Sequence, residues 1–151
     1  MNKNTQSIFN KKLLLVAIKI NVSAAIEEDL KNIDKTSDIL PKKIKGVAKI
    51  YVKQAAILCG SPWVDNCFHQ IDKDIRIVWH FSEGSKIKSG DEICTISGNY
   101  NRILMGERIA INFLQTLSGT ASTSNLMNLK IRRYKARLFD TRKTIPGLRV
   151  A

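Results

Sequence analysis

The stretch Ile75-Arg76-Ile77-Val78-Trp79-His80-Phe81-Ser82-Glu83-Gly84-Ser85-Lys86-Ile87-Lys88-Ser89-Gly90-Asp91-Glu92-Ile93-Cys94-Thr95-Ile96-Ser97 decides the reading of the fold. Ile75 to Phe81 alternates with a period of two, as a strand with one buried face does. Glu83-Gly84-Ser85 and Ser89-Gly90-Asp91 are turn signals. Between and after them, Lys86 to Lys88 reads as a short strand and Glu92 to Ser97 as a longer one. Two glycine-bearing turns so close together, framing alternating strands, specify a compact antiparallel β unit.

Upstream, Val47 to Gln54 alternates in the same way and supplies a further strand. Ala55 to Cys59 is a short apolar run stopped by Gly60 and Pro62. Ser61 is placed to cap a helix over Trp63 to Ile71, with Pro62 at its first position. Residues 1–11 are polar and read as a frayed start. Leu13 to Leu30 reads as helix in two pieces, Ser23 capping the second, with Glu27 and Glu28 near its positive end. Lys31 to Ser37 reads as a loop, and Pro41 closes a short extended piece.

Downstream, Ile103, Leu104, Ile109, Ile111, Phe113, Leu114 and Leu117 form an apolar stripe wide enough for a helix buried on most sides. Ser118-Gly119-Thr120 is expected to interrupt it before a second helix over Ala121 to Ile131. Ala136 to Thr141 reads as a short strand, followed by a turn at Pro146-Gly147. The order is that of a mixed α/β unit, then two helices and one strand. The β unit resembles half of a lipoyl-type barrel, but no lysine stands at a hairpin tip between two halves, which speaks against a lipoyl or biotin carrier.

The 151 residues carry 25 Lys and Arg against 13 Asp and Glu, a formal charge of +12, with 44% hydrophobic residues. That composition excludes a wholly disordered chain. The apolar run Leu13 to Ile18 is stopped by Lys19, too short for a membrane span or a signal-peptide core. The expected location is the cytoplasm. Charge is uneven: residues 1–60 are net +6, residues 61–100 net −2 and residues 101–151 net +8. Lys130 to Ala151 holds eight cationic side chains opposed only by Asp140. Such a surface attracts phosphates, nucleic acid or small polyanions.

Chemistry narrows the choice. Cys59, Cys67 and Cys94 show no CxxC spacing, and together with His69 and His80 they read as buried thiols and partly exposed histidines rather than a zinc site or a nucleophile pair. The glycines make neither GxGxxG nor a Walker loop. Lys130 to Arg137 with Tyr134 could bind a nucleic-acid backbone, yet no helix-turn-helix, zinc-finger or aromatic strand motif accompanies it. Two blocks are more specific. In Glu107-Arg108-Ile109-Ala110-Ile111-Asn112, Arg108 and Asn112 stand at i and i+4 on one helix face, where Arg108 serves either an anion or an ion pair with Glu107 or another neighbour. In Asp140-Thr141-Arg142-Lys143-Thr144-Ile145-Pro146-Gly147-Leu148-Arg149, a strand end presents a planar fork, a point charge and hydroxyls, a set suited to a small polyanion.

Together these blocks resemble quinolinate phosphoribosyltransferase, the carboxylating nicotinate-nucleotide pyrophosphorylase. The family pattern is Glu-Arg-x-x-x-Asn followed by Gln-x-x-Ser-Gly, then Asp-Thr-Arg-Lys-Thr-x-Pro-Gly-x-Arg, and Gln115, Ser118 and Gly119 complete it here. Weaker matches are Glu28-Asp29-Leu30, Asp34 and Thr36 with Leu40-Pro41, Cys59-Gly60, Gly84 and Gly90-Asp91. The resemblance runs from about Val22 to the end. Departures are Gln54-Ala55-Ala56, where an acidic residue and a glycine are usual, and Lys31-Asn32-Ile33, where a glycine-rich stretch is usual.

The resemblance implies a fold of the α/β class: an α+β sandwich domain over residues 1–115, then the first helix and strand of an incomplete α/β barrel over residues 116–151. It implies transfer of phosphoribose from phosphoribosyl pyrophosphate to quinolinate, with loss of carbon dioxide, giving nicotinate mononucleotide for NAD synthesis. It also implies a homodimer, with Thr141, Arg142 and Lys143 on the quinolinate carboxylates and Arg108 reaching into the partner subunit's site. Magnesium would accompany phosphoribosyl pyrophosphate. The family's later His-Arg pair, second lysine, metal-holding acids and phosphate-binding glycines have no counterpart in these residues, so the chain is expected to be inactive alone. A non-catalytic partner of a longer subunit and a basic nucleic-acid-binding module are the alternatives.

Overall fold

The computed structural model of the chain describes residues 3–30, 44–139, 141 and 143–150. In chain order the elements are α1 (Lys3–Leu30), β1 (Lys45–Tyr51), β2 (Ala56–Ile57), α2 (Ser61–Ile71), β3 (Arg76–Trp79), β4 (Lys86–Ile87), β5 (Glu92–Asn99) and α3 (Tyr100–Ile131). β1, β5 and β3 lie side by side in that order, antiparallel throughout, and β2 pairs with β4. Both turns expected between β3 and β5 form. Ser85 N–H donates to the Ser82 carbonyl and Asp91 N–H to that of Lys88, with Gly84 and Gly90 at φ +81° and +90°. The mixed helix and sheet content agrees with the α+β class expected for this part of the fold.

One core lies between sheet and helices. Ile93, Cys94 and Ile96 of β5 meet Val64, Cys67 and Phe68 of α2 and Ile103, Ile109 and Leu114 of α3, while Ile18 and Val22 seat α1 on the same cluster. Burying such side chains contributes roughly 1.5–3 kcal/mol apiece. α2 and α3 approach closely at Gly106, where an added Cβ would fall 2.7 Å from Phe68 Cε1 and 2.9 Å from Ile71 Cδ1. Any larger residue there would have to displace Phe68 and Ile71.

Four local expectations are corrected. α1 is a single helix through Ser23. Leu14, Ile18, Val22 and Ala25 share one core-facing side without proline or glycine, and Ser23 Oγ donates to Gln70 Oε1 (2.9 Å) instead of capping. α3 likewise runs unbroken through Ser118-Gly119-Thr120. The hydroxyls of Thr120, Ser122 and Thr123 donate to carbonyls one turn back, so polar side chains are absorbed without ending the helix. The cap of α2 is Gly60, with Ser61 the first helical residue. The Glu83 carboxylate reaches in from the turn after β3 to accept from Gly60 N (2.6 Å), Ser61 N (3.0 Å) and the Ser61 hydroxyl. Finally, residues 136–139 and 141 are not strand; no described strand lies alongside to pair with them, and Leu138 and Phe139 are exposed. The expected loop at 31–37 and the piece ending at Pro41 lie outside the described residues. Among the described residues, no helix is long and apolar enough to cross a membrane.

Candidate functional site

α3 buries Ile109, Ala110 and Leu114 and so turns Arg108 and Asn112 outward. Leu104, Glu107, Arg108, Ile111 and Asn112 line a shallow groove of about 330 Å³. The ion partner of Arg108 is Asp29, 79 residues away on α1, rather than the adjacent Glu107: Arg108 Nη1 donates to Asp29 Oδ1 at 3.2 Å. The carboxylate is sunk, 19% exposed, while the Arg108 side chain is 72% exposed. A guanidinium has five N–H donors, so one bond to Asp29 leaves most of the fork facing solvent.

The second block follows α3 in the chain. Thr141 and Lys143 are exposed, and Lys143 N–H donates to Thr141 Oγ1 over a long 3.4 Å. Arg142 and Asp140 lie outside the described residues. Ile145 to Leu148 closes a β-turn through Leu148 N–H to the Ile145 carbonyl (3.0 Å), with Pro146 second and Gly147 third at φ +85°. That is a type II turn, whose third position demands positive φ. The Gly147 carbonyl accepts from Asn21 Nδ2 on α1 (3.1 Å), and an added Cβ at 147 would sit 2.8 Å from that nitrogen. The other end of the Asn21 amide, Oδ1, faces the Trp63 indole N–H at 3.5 Å. Among the described residues no hydrogen bond or ion pair joins Arg108 to Thr141 or Lys143. Each block is instead tied to α1, at Asp29 and at Asn21. Sequence spacing could not reveal these two residues, because their partners are 79 and 126 positions away.

Other chemistry-bearing groups are structural. Burial pushes the Cys59 thiol up to about 11 and those of Cys67 and Cys94 to about 12, helped at Cys67 by the negative charge of Asp29. They are protonated near neutral pH and poor nucleophiles. On the outer sheet face Glu92 accepts from Thr95 Oγ1 (2.7 Å), Lys49 Nζ (2.9 Å) and Tyr51 OH (3.0 Å), with His80 Nε2 3.2 Å away. The Thr95 hydroxyl first and Lys49 next pull its pKa down to about 2. Past α3, Arg133 stacks on Tyr134 and Arg137 on Phe139, 5.0 and 5.6 Å from the ring centres.

Residues 34–118 match the family model described as the quinolinate phosphoribosyl transferase N-terminal domain. A probable carboxylating nicotinate-nucleotide pyrophosphorylase of Synechocystis is 31% identical over 125 residues, covering 83% of this chain and 42% of that protein. A chloroplastic nicotinate-nucleotide pyrophosphorylase of Arabidopsis thaliana is 29% identical over 138 residues, 88% of this chain and 38% of that one. The solved nicotinate-nucleotide pyrophosphorylase of Francisella tularensis superposes with a TM-score of 0.85 at 35% identity, covering 90% of this chain and 48% of that chain. The chain thus spans about two fifths of the length of these curated relatives and about half of that structure.

Proposed function

This chain belongs to the quinolinate phosphoribosyltransferase family, and on that premise we propose that it serves the conversion of quinolinate and phosphoribosyl pyrophosphate to nicotinate mononucleotide, pyrophosphate and carbon dioxide. In that reaction the pyridine nitrogen bonds to the sugar carbon as pyrophosphate leaves with the old bond's electrons. The 2-carboxylate then departs as carbon dioxide, and the electron pair left on the ring takes up a proton. Thr141, Arg142 and Lys143 hold the dianionic acceptor by its carboxylates, and Arg108 reaches into the site of the partner subunit in a homodimer. Clamping acceptor and sugar together lowers the entropic cost of a two-substrate reaction. In this reading residues 1–115 are the sandwich domain and residues 116–151 the opening of the barrel, working in the cytoplasm.

Magnesium would accompany phosphoribosyl pyrophosphate. Among the described residues no three His, Cys, Asp or Glu side chains converge. They do not fit a metal site, and no step is assigned to one. The observation that carries the reading is Arg108: it stands within the family's Glu-Arg-x-x-x-Asn block with its fork displayed to solvent although half of its ion pair is sunk.

The test is a mixed-subunit assay. Residues 1–151 alone are expected to form no nicotinate mononucleotide by chromatography. Mixed with a longer relative whose arginine aligned with Arg108 is replaced by alanine, the wild-type chain should restore product formation and Arg108→Ala should not. Turnover by residues 1–151 without a supplied partner would overturn the dependence on a second, longer subunit.

A further inference from the structure

Arg108 and Thr141 stand 33 positions apart in sequence and no described polar contact joins Arg108 to Thr141 or Lys143, yet both blocks touch one helix. We infer that α1 is the brace that positions them: Asn21 docks the turn of the second block, and Asp29 aims the guanidinium of the first. The functional meaning rests on the reading above, whereas the bracing itself stands on contacts within this chain.

The chemistry of Asn21 is specific. A Trp63 indole N–H can only donate and a Gly147 carbonyl can only accept, so the residue between them must present an acceptor to one and a donor to the other. Aspartate keeps the acceptor and loses the donor; leucine keeps the shape and loses both. Asp29 works differently. Its sunken carboxylate binds a single N–H of an arginine that is otherwise in solvent, fixing the direction of the fork while leaving the other donors for a ligand. Asn21 and Asp29 stand eight residues apart, about 12 Å along the axis. Between them Val22 is fully buried, and Ile18 is buried one turn before, so the helix carrying both contacts is anchored in the core. A shift of α1 would therefore move both blocks together.

The experiment uses isotopically labelled residues 1–151 and needs no substrate. The Trp79 indole, bonded to Asp65 Oδ1 at 2.8 Å, serves as internal reference for that of Trp63. Asn21→Asp and Asn21→Leu should each shift the Trp63 indole signal, leave Trp79 unmoved, and speed tryptic cleavage after Lys143 and Arg149 by about fivefold, the change one ordinary hydrogen bond supports. Gly147→Ala, which the turn cannot accept, should accelerate the same cleavages. Asp29→Asn should speed solvent exchange of the Arg108 guanidinium protons by a similar factor. Equal cleavage of wild type and the Asn21 variants, or Arg108 protons indifferent to Asp29→Asn, would overturn the brace. Intact docking signals with no rescue in the mixed-subunit assay would uphold the brace and sink the substrate reading, so the two fail separately.

Discussion

Glu92 shows what a single side chain can contribute on an open sheet face. It gathers donors from β1 and β5, and its pKa falls from its ordinary value of 4.5 to about 2, chiefly through the Thr95 hydroxyl and then Lys49. Because the folded value lies below the unfolded one, this stabilisation is fully present above about pH 4.5 and fades as pH falls towards about 2. Urea midpoints of Glu92→Gln and wild type should therefore differ most near pH 6 and converge near pH 2. A difference that stays constant with pH would show that the carboxylate's charge is not responsible. Little of this was legible in the sequence. Alternation placed Glu92 on a strand, but its partners depend on which strands become neighbours. The cationic blocks were legible because each is contiguous, whereas Asn21 and Asp29 matter only through residues far along the chain.

At the level of elements, sequence periodicity located β1, β3, β4, β5, the turns between β3 and β5 and α2, but it placed a strand over 136–141 that does not form and broke α1 and α3 where polar residues looked like interruptions. Ser118 is the instructive case. Its hydroxyl accepts from Cys59 N–H (3.0 Å) and donates to the Cys59 carbonyl (2.9 Å), and Ser122 Oγ accepts from Ile57 N–H (2.8 Å). The edge around β2 is thus fastened to α3 by Ser118, which suggested an interruption, and by Ser122 one turn further on. Ser118→Ala should strand the Cys59 backbone groups and cost about 1–3 kcal/mol in urea unfolding, while Thr120→Ala, whose hydroxyl bonds only within the exposed helix face, should cost far less. β5 holds a second irregularity that alternation concealed. Its register with β1 passes from Ile50 opposite Cys94 to Tyr51 opposite Glu92, leaving Ile93 as an extra residue. Ile93 and Cys94 are consequently both buried, and Glu92 and Thr95, three apart, lie on the same outer face.

For the molecule as a whole, core and charge occupy different parts of the chain. Among the described residues the core extends no further along α3 than Leu117, whereas the densest cationic stretch begins at Lys130. A polypeptide ending at Ile131 should keep most of the unfolding free energy of residues 1–151, because no described side chain beyond Leu117 is buried and a tie such as Asn21–Gly147 is worth only about 1 kcal/mol. A larger loss in a urea titration would mean that the cationic stretch stabilises the domain itself. Beyond Ser122, the last described attachment of α3 to the sheet side, the helix continues nine residues to Ile131 with none of their side chains buried. Mechanically that is a cantilever about 13 Å long, on which a tilt of 10° displaces the tip by roughly 2 Å. An anion clamp hung from such a tip would wander by the width of a hydrogen bond. The return of the chain to Asn21 turns the cantilever into a strut with a tie, and the precision of the cationic end is then set by α1 rather than by the helix that leads to it.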